Sequence, residues 1–252
     1  MKSRRTFLKQ TSVLGATALT MPFGAGSFGS VSQSNGDYTI LFQGDSITDG
    51  NRTRDNDWNH VMGHGFAYII ASRLWYDYPK QGFHFFNRGI SGDRVPDLSS
   101  RWDTDTIALK PNLLSILVGI NDTNLAIDGG QSSIRSFEED YRTLLRQTKA
   151  ALPNLGLVLC EPFILPVGKV KDKWKTYQKE LGARQAVTQQ LAKEFNAVFV
   201  PFQAAFNNAL KKAPADYWIW DGVHPMPAGH ELMAREWLKV VSLEIPFIPS
   251  KA

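Results

Sequence analysis

The chain has 252 residues, 43% of them hydrophobic, with a formal net charge of +4; this suits one globular α/β domain and excludes a disordered chain. Lys2, Arg4, Arg5 and Lys9 account for that charge, so the remainder carries no net basic footprint for nucleic acid. The single cysteine, Cys160, excludes an intrachain disulfide and a multi-cysteine zinc site.

Residues 1–32 read as an export signal. Charges come first, followed by a weakly apolar run from Thr11 to Gly26, too short and too rich in glycine and threonine to anchor in a membrane. The stretch Ser3-Arg4-Arg5-Thr6-Phe7-Leu8-Lys9 resembles the twin-arginine motif. A periplasmic or secreted location is therefore expected, with cleavage between Ala25 and Gln33 and no membrane anchor. The remaining residues, 33–252, read as one domain.

From Tyr38 onward the pattern alternates. Buried strands are expected at Thr39–Gln43, Phe83–Asn87, Leu113–Val118, Leu155–Cys160 and Ala197–Pro201. Amphipathic helices are expected at Gly65–Trp75, Ser136–Leu152, Lys175–Phe195 and Pro227–Val241. Strands without polar alternation, separated by helices, predict a central five-stranded parallel sheet in a three-layer α/β/α sandwich, with a flavodoxin-like strand order. The Pro-, Gly- and Lys-rich stretch Pro162–Lys175 reads as a surface loop.

Ligands in such folds bind beyond the carboxyl ends of the strands. The first strand run leads into Gly44-Asp45-Ser46, the second into Asn87-Arg88-Gly89-Ile90-Ser91-Gly92-Asp93, and the third into Gly119-Ile120-Asn121-Asp122. A fourth block, Trp220-Asp221-Gly222-Val223-His224-Pro225, precedes the last helix. A serine hydroxyl is a weak nucleophile until a base takes its proton, and histidine has the suitable pKa. The histidine needs a carboxylate to fix its tautomer. Ser46, His224 and Asp221 supply these groups, the last two within one turn of chain. Candidate donors to a tetrahedral oxyanion are the backbone N–H of Ser46, the backbone N–H of Gly89 and the side-chain amide of Asn121.

The blocks Gly44–Thr48, Gly89, Gly119–Asp122 and Asp221–Pro225 resemble, in order, those of the SGNH (GDSL-type) hydrolase family. The stretches Gly63–Ile70, Asn87–Trp102, Ser115–Asp122 and Trp220–His230 are similar to bacterial acetylxylan esterases of that superfamily. The departure is at Asn51–Met62, a more polar segment carrying His60. The resemblance implies Ser46 as nucleophile, Gly89 and Asn121 as oxyanion donors, His224 as base and Asp221 as its partner. It also implies a cofactor-free serine esterase acting on acetylated carbohydrate, acetylxylan above all. The same chemistry on pectic or sialic O-acetyl groups, on a lysophospholipid or on a thioester stays open, as does a non-catalytic carbohydrate-binding protein of this fold. A homo-oligomer is also left open.

Asp45, Trp220, Arg94 and His64 are candidate substrate contacts, although Asp45 also suits holding the nucleophile loop and Arg94 suits bridging loops. His60 and His64 are four apart, as a helical metal pair would be, but no third ligand or H-E-x-x-H motif accompanies them. No metal is expected. His230 reads as a structural residue of the last helix.

Overall fold

Five apolar runs become strands β1 (Asp37–Gly44), β2 (Gly82–Asn87), β3 (Leu113–Leu117), β4 (Gly156–Cys160) and β5 (Val198–Val200) of a computed structural model that describes residues 36–55 and 57–250. The expected signal segment, residues 1–32, lies outside the described residues. All five strands pair in parallel, in the order β2-β1-β3-β4-β5. This is the flavodoxin-like order.

The helices are α1 (Ser46–Asp49), α2 (Phe66–Asp77), α3 (Val95–Ser100), α4 (Trp102–Asp105), α5 (Ile120–Ile127), α6 (Ile134–Ala151), α7 (Gly168–Lys171), α8 (Trp174–Glu194), α9 (Phe202–Ala209), α10 (Ala215–Trp218) and α11 (Pro227–Glu244). None is long and apolar enough to cross a membrane. Because side chains alternate along a strand, each strand feeds two cores. Ile40, Phe42, Leu117 and Val158 pack with α2, α9 and α11 on one face. Leu41, Leu114, Ile116 and Leu159 pack with α3, α6 and the second half of α8 on the other. The three-layer architecture follows from this double burial.

The four long helices fall where periodicity places them, within two or three residues at each end. The short helices α1, α3, α4, α5, α9 and α10 carry too few turns to show a period. One expectation is corrected. The stretch Pro162–Lys175 is not a surface loop at its start: Phe163, Ile164, Leu165 and Val170 are buried. Phe163 packs its ring on Phe202 and Phe206. The prolines and glycines there shape a tight buried path instead of a solvated one.

The ends of β1 and β3 approach closely. Gly44 has φ +151°, and a Cβ there would sit 2.2 Å from the Leu117 carbonyl oxygen. Asp45 follows, fully buried, and caps α1 by accepting from the Ile47 N–H at 3.0 Å. At the end of β2, the Asn87 amide nitrogen donates toward the carbonyls of Thr48, Asp49 and Met62 at 2.7, 3.2 and 2.9 Å.

Gly44→Ala is expected to cost about 1–3 kcal/mol through overpacking at the β1–β3 contact, read as a lower denaturant midpoint; an unchanged midpoint would contradict the close approach. Burial pushes the Asp45 carboxyl up to about 7, against the pull of the Ile47 N–H. Between its ordinary value of 3.8 and about 7 the folded chain therefore holds a proton that the unfolded chain has released. Asp45 consequently costs stability as pH rises through that window. Asp45→Asn should gain on the wild type between pH 5 and pH 8 in denaturant titrations, and a gap independent of pH would refute the assignment.

Candidate active site

Ser46 is the only residue between Leu41 and Gly50 that is not buried. It opens α1 directly after the Asp45 cap, so its hydroxyl leaves the sheet edge at the carboxyl end of β1. Its Oγ lies 2.8 Å from His224 Nε2. His224 Nδ1 lies 2.7 Å from Asp221 Oδ2. An ionised carboxylate can only accept, so Nδ1 carries the imidazole proton and Nε2 is left to accept from the Ser46 hydroxyl.

Asp221 Oδ1 also accepts from the backbone N–H groups of Val223 and His224, at 2.9 and 2.7 Å. Burial would raise this carboxyl, but the His224 side chain and those two N–H groups outweigh it and hold it well below the usual range. The turn that bears both residues is pinned by the Ile219–Pro225 bridge and by the Trp220 N–H donating to the His224 carbonyl at 3.2 Å. Beneath it, the Leu165 N–H donates to the Gly222 carbonyl at 3.1 Å. Gly222 has φ +93°, and its Cβ would meet Val170 at 2.5 Å. The segment expected on the surface is thus the seat of the histidine loop.

Three expected donors fare differently. The Ser46 N–H stands at the start of α1, where helical N–H groups have no internal partner. Asn121 stands in the first turn of α5 and donates one amide hydrogen to the Asp93 carbonyl at 3.1 Å, leaving the other free. The Gly89 N–H, however, is committed to Asn87 Oδ1 at 3.0 Å and is buried. This corrects the expectation for Gly89. Its glycine requirement is steric, since a Cβ would sit 2.4 Å from the Asp49 nitrogen.

Three residues on, Gly92 has φ +92°, open space around it and an N–H with no partner among the described residues. Its loop is anchored on both sides, by the Ile90 N–H on the Gly44 carbonyl at 3.0 Å and by Asn121 on the Asp93 carbonyl. Gly92 is the available glycine donor. The second glycine of Gly89-Ile90-Ser91-Gly92 was the signal for it.

The expected substrate contacts also sort themselves. Asp45 is fully buried and serves as a cap, so it is corrected to a structural residue. Arg94 pairs with Asp97 through Nε at 2.8 Å and closes the first turn of α3. His64 is exposed, with its backbone N–H on the Gly50 carbonyl at 2.9 Å. Trp220 is 62% exposed, its ring centre 6.3 Å from that of His224 and tilted by only 29°. It flanks the base. His230 accepts from the Phe66 N–H at 3.2 Å, and burial pulls it down to about 4, so it stays neutral. His60 bonds to Asp57 at the surface. Among the described residues no three ligating side chains come together for a metal. Cys160 is buried, its thiol pushed up to about 12, and is no nucleophile.

Asp49, like Asn87, is a polar residue whose role sequence reasoning missed. Its carboxylate accepts from the Ser91 N–H at 3.1 Å, the Arg52 N–H at 3.1 Å and both Arg54 guanidinium nitrogens. It joins the nucleophile helix to the Gly89–Gly92 loop. Burial opposes its ionisation, but Arg54 and the two N–H groups keep it below the usual range.

The profile of the GDSL-like lipase/acylhydrolase family matches residues 42–232. An acetylxylan esterase of Geobacillus stearothermophilus is 36% identical over 212 residues, which cover 81% of this chain and 94% of that protein. A crystal structure of an acetylxylan esterase from the same organism superposes with a TM-score of 0.72 at 34% identity, covering 85% of this chain and 97% of the other. A structure from Parabacteroides merdae ATCC 43184, provisionally called a GDSL-like lipase, superposes with a TM-score of 0.79 at 40% identity, over 82% of this chain and 97% of that one. The chain belongs to the GDSL-like lipase/acylhydrolase (SGNH) family of carboxylic ester hydrolases.

Proposed function

We propose that this protein is a serine esterase that removes O-acetyl groups from plant cell-wall carbohydrate, with acetylated xylan or xylo-oligosaccharides as substrate. The carrying observation is the chain Ser46 Oγ–His224 Nε2–Asp221, with both links at 2.7–2.8 Å. The carbohydrate assignment draws support from the acetylxylan esterases to which the chain is similar and from Trp220, an exposed aromatic face beside the base.

In this reading Ser46 Oγ attacks the acetyl carbonyl carbon while its proton passes to His224 Nε2. The carbonyl oxygen becomes an oxyanion, held by the Ser46 N–H, the Gly92 N–H and Asn121 Nδ2. The tetrahedral intermediate collapses, the carbon–oxygen bond to the sugar breaks, and His224 returns the proton to the leaving sugar hydroxyl. Water then gives a proton to His224 and attacks the acetyl-serine. Collapse of the second intermediate frees acetate and restores Ser46. Asp221 keeps the imidazole in the required tautomer throughout. The twin-arginine-like Ser3–Lys9 stretch supports an exported enzyme that meets its substrate outside the cytoplasm.

The direct test is acetate release from acetylated xylo-oligosaccharides, with long-chain p-nitrophenyl esters alongside. Ser46→Ala should lower kcat by roughly 10⁴-fold or more, with long-chain esters cut poorly by the wild type. Wild-type silence on xylan fragments, with other esters cleaved, would sink the substrate and keep the mechanism. Equal activity in both proteins would sink the nucleophile. Asn121→Ala should cost roughly 10²–10³ in kcat with little change in KM, as expected of an oxyanion donor; a loss confined to KM would instead make Asn121 a ground-state contact.

A further inference from the structure

Beside the nucleophile loop, on the outer edge of β2, lies a cavity of about 200 Å³. Trp58, Asp55, Phe86 and Arg88 line it, above Asn87 and Met62. This volume suits one sugar ring and is small for a larger ligand. Half of its lining, Asp55, Trp58, Val61 and Met62, belongs to Asn51–Met62, the segment where the sequence departs from the acetylxylan-esterase pattern.

Two of these side chains are unusual. Trp58 is 73% exposed, yet its ring is steadied by Trp75, with centroids 6.4 Å apart at 59°. An ordered, solvent-facing indole is the ordinary platform for a sugar face. Arg88 has a fixed backbone, its N–H donating to the Phe42 carbonyl at 2.8 Å. Its guanidinium lies over the Phe86 ring, 5.6 Å from the centroid. Among the described residues that guanidinium has no carboxylate partner and no hydrogen bond, and its Nε is shut off from solvent. Arg54, by contrast, is paired with Asp49. Arg52 is half-buried, and burial together with the fields of Arg54 and Arg88 pulls it down to about 10 against the opposing field of Asp49. Of the two charged residues that line the cavity, Asp55 already accepts from the Asp57 N–H at 3.0 Å, and Arg88 alone is without a side-chain partner among the described residues.

An unpaired planar guanidinium beside an exposed indole matches a sugar that carries a carboxylate. The carboxylate takes the fork of Arg88, the ring lies against Trp58, and Asp55 accepts from ring hydroxyls. We infer that the cavity at Trp58 and Arg88 is a subsite for a uronosyl residue of the glycan. This deepens the proposed carbohydrate-esterase reading and rests on it. Arg88 stands between Asn87 and Gly89, at the start of the loop that leads to Gly92.

The test is calorimetric binding of an unacetylated xylo-oligosaccharide bearing one glucuronosyl branch, against the unbranched oligomer of equal length, with the full chain at low salt. The branched probe should bind about tenfold tighter or more. The advantage should shrink with added salt, vanish in Arg88→Gln, return in part in Arg88→Lys and fall in Trp58→Ala. Each is read as a ratio of the two probes within one protein, so partial loss of fold does not confound it. Equal affinity for both probes, or an advantage that survives Arg88→Gln, overturns the subsite. Acetate release from neutral acetylated oligomers is followed in parallel. Release without a branch preference removes the subsite and leaves the esterase reading standing. A branch preference without release from any acetylated oligomer supports the subsite and removes the deacetylase reading.

Discussion

Backbone groups of three separate segments converge on the side chain of Asn87. Its amide nitrogen serves the carbonyls of Thr48 and Asp49 at the end of the nucleophile helix, and of Met62 in the loop that returns to α2. Its oxygen accepts from the Gly89 N–H. The residue is 2% exposed, so none of these groups would find water if the amide were lost. Each buried group left unsatisfied costs about 1–3 kcal/mol. The amide therefore sets the distance between the β1 and β2 loops more firmly than apolar packing could, because its bonds are directional. It also decides which N–H groups stay free. By consuming the Gly89 donor it leaves the Gly92 N–H, which has no partner among the described residues, as the glycine donor of the loop.

Charge around the serine is arranged by the same loops. Attack at an ester builds negative charge on the carbonyl oxygen, so ionised carboxylates near Ser46 would oppose it. Three carboxyl groups lie close in sequence to Ser46 or Asn121; two are raised by burial and the third is covered by donors. Asp45 is raised to about 7 by burial, and the nearby Asp122 adds to the rise. Asp122 is itself raised to about 6 by burial, against the pull of Arg184. Asp49 remains ionised but is covered by Arg54 and by the N–H groups of Arg52 and Ser91. The carboxylate held far below its usual range, Asp221, is the one separated from Ser46 by the imidazole. There its charge stabilises the imidazolium and not the free serine.

How much of this the sequence discloses depends on the length over which a pattern repeats. Fully apolar strand runs and 18- to 21-residue helices such as α6 and α8 announce themselves, because burial on one stripe must recur every 3.6 residues. The serine, histidine and aspartate are legible because their chemistry restricts residue type. Asn87 and Asp49 are not, since an asparagine closing an apolar strand and an aspartate in a polar turn have many ordinary uses. Their role exists only once the parallel register has brought the ends of β1 and β2 side by side. The choice between Gly89 and Gly92 fails for a related reason. Both are glycines for steric or conformational causes, and only the partner of each N–H separates the donor from the spacer.

The nucleophile and the base are held by different physics. Ser46 inherits its place from a strand paired on both sides, and its position is set by backbone hydrogen bonds. His224 sits on a turn outside the sheet, in a chain whose lone cysteine allows no cross-link. Its rigidity has to come from packing beneath it. Gly168 supplies one contact, for a Cβ there would meet the Asp221 Cα at 2.5 Å, and Gly222 supplies the reciprocal one against Val170. Two backbones can approach this closely only because both glycines adopt positive φ, +51° and +93°. The same composition that gives Pro162–Lys175 the look of a solvated loop is what allows it to press against the histidine turn. With that contact in place, Asp221 can spend both carboxylate oxygens on its own turn and on the imidazole, and the base meets the serine without any element having to move.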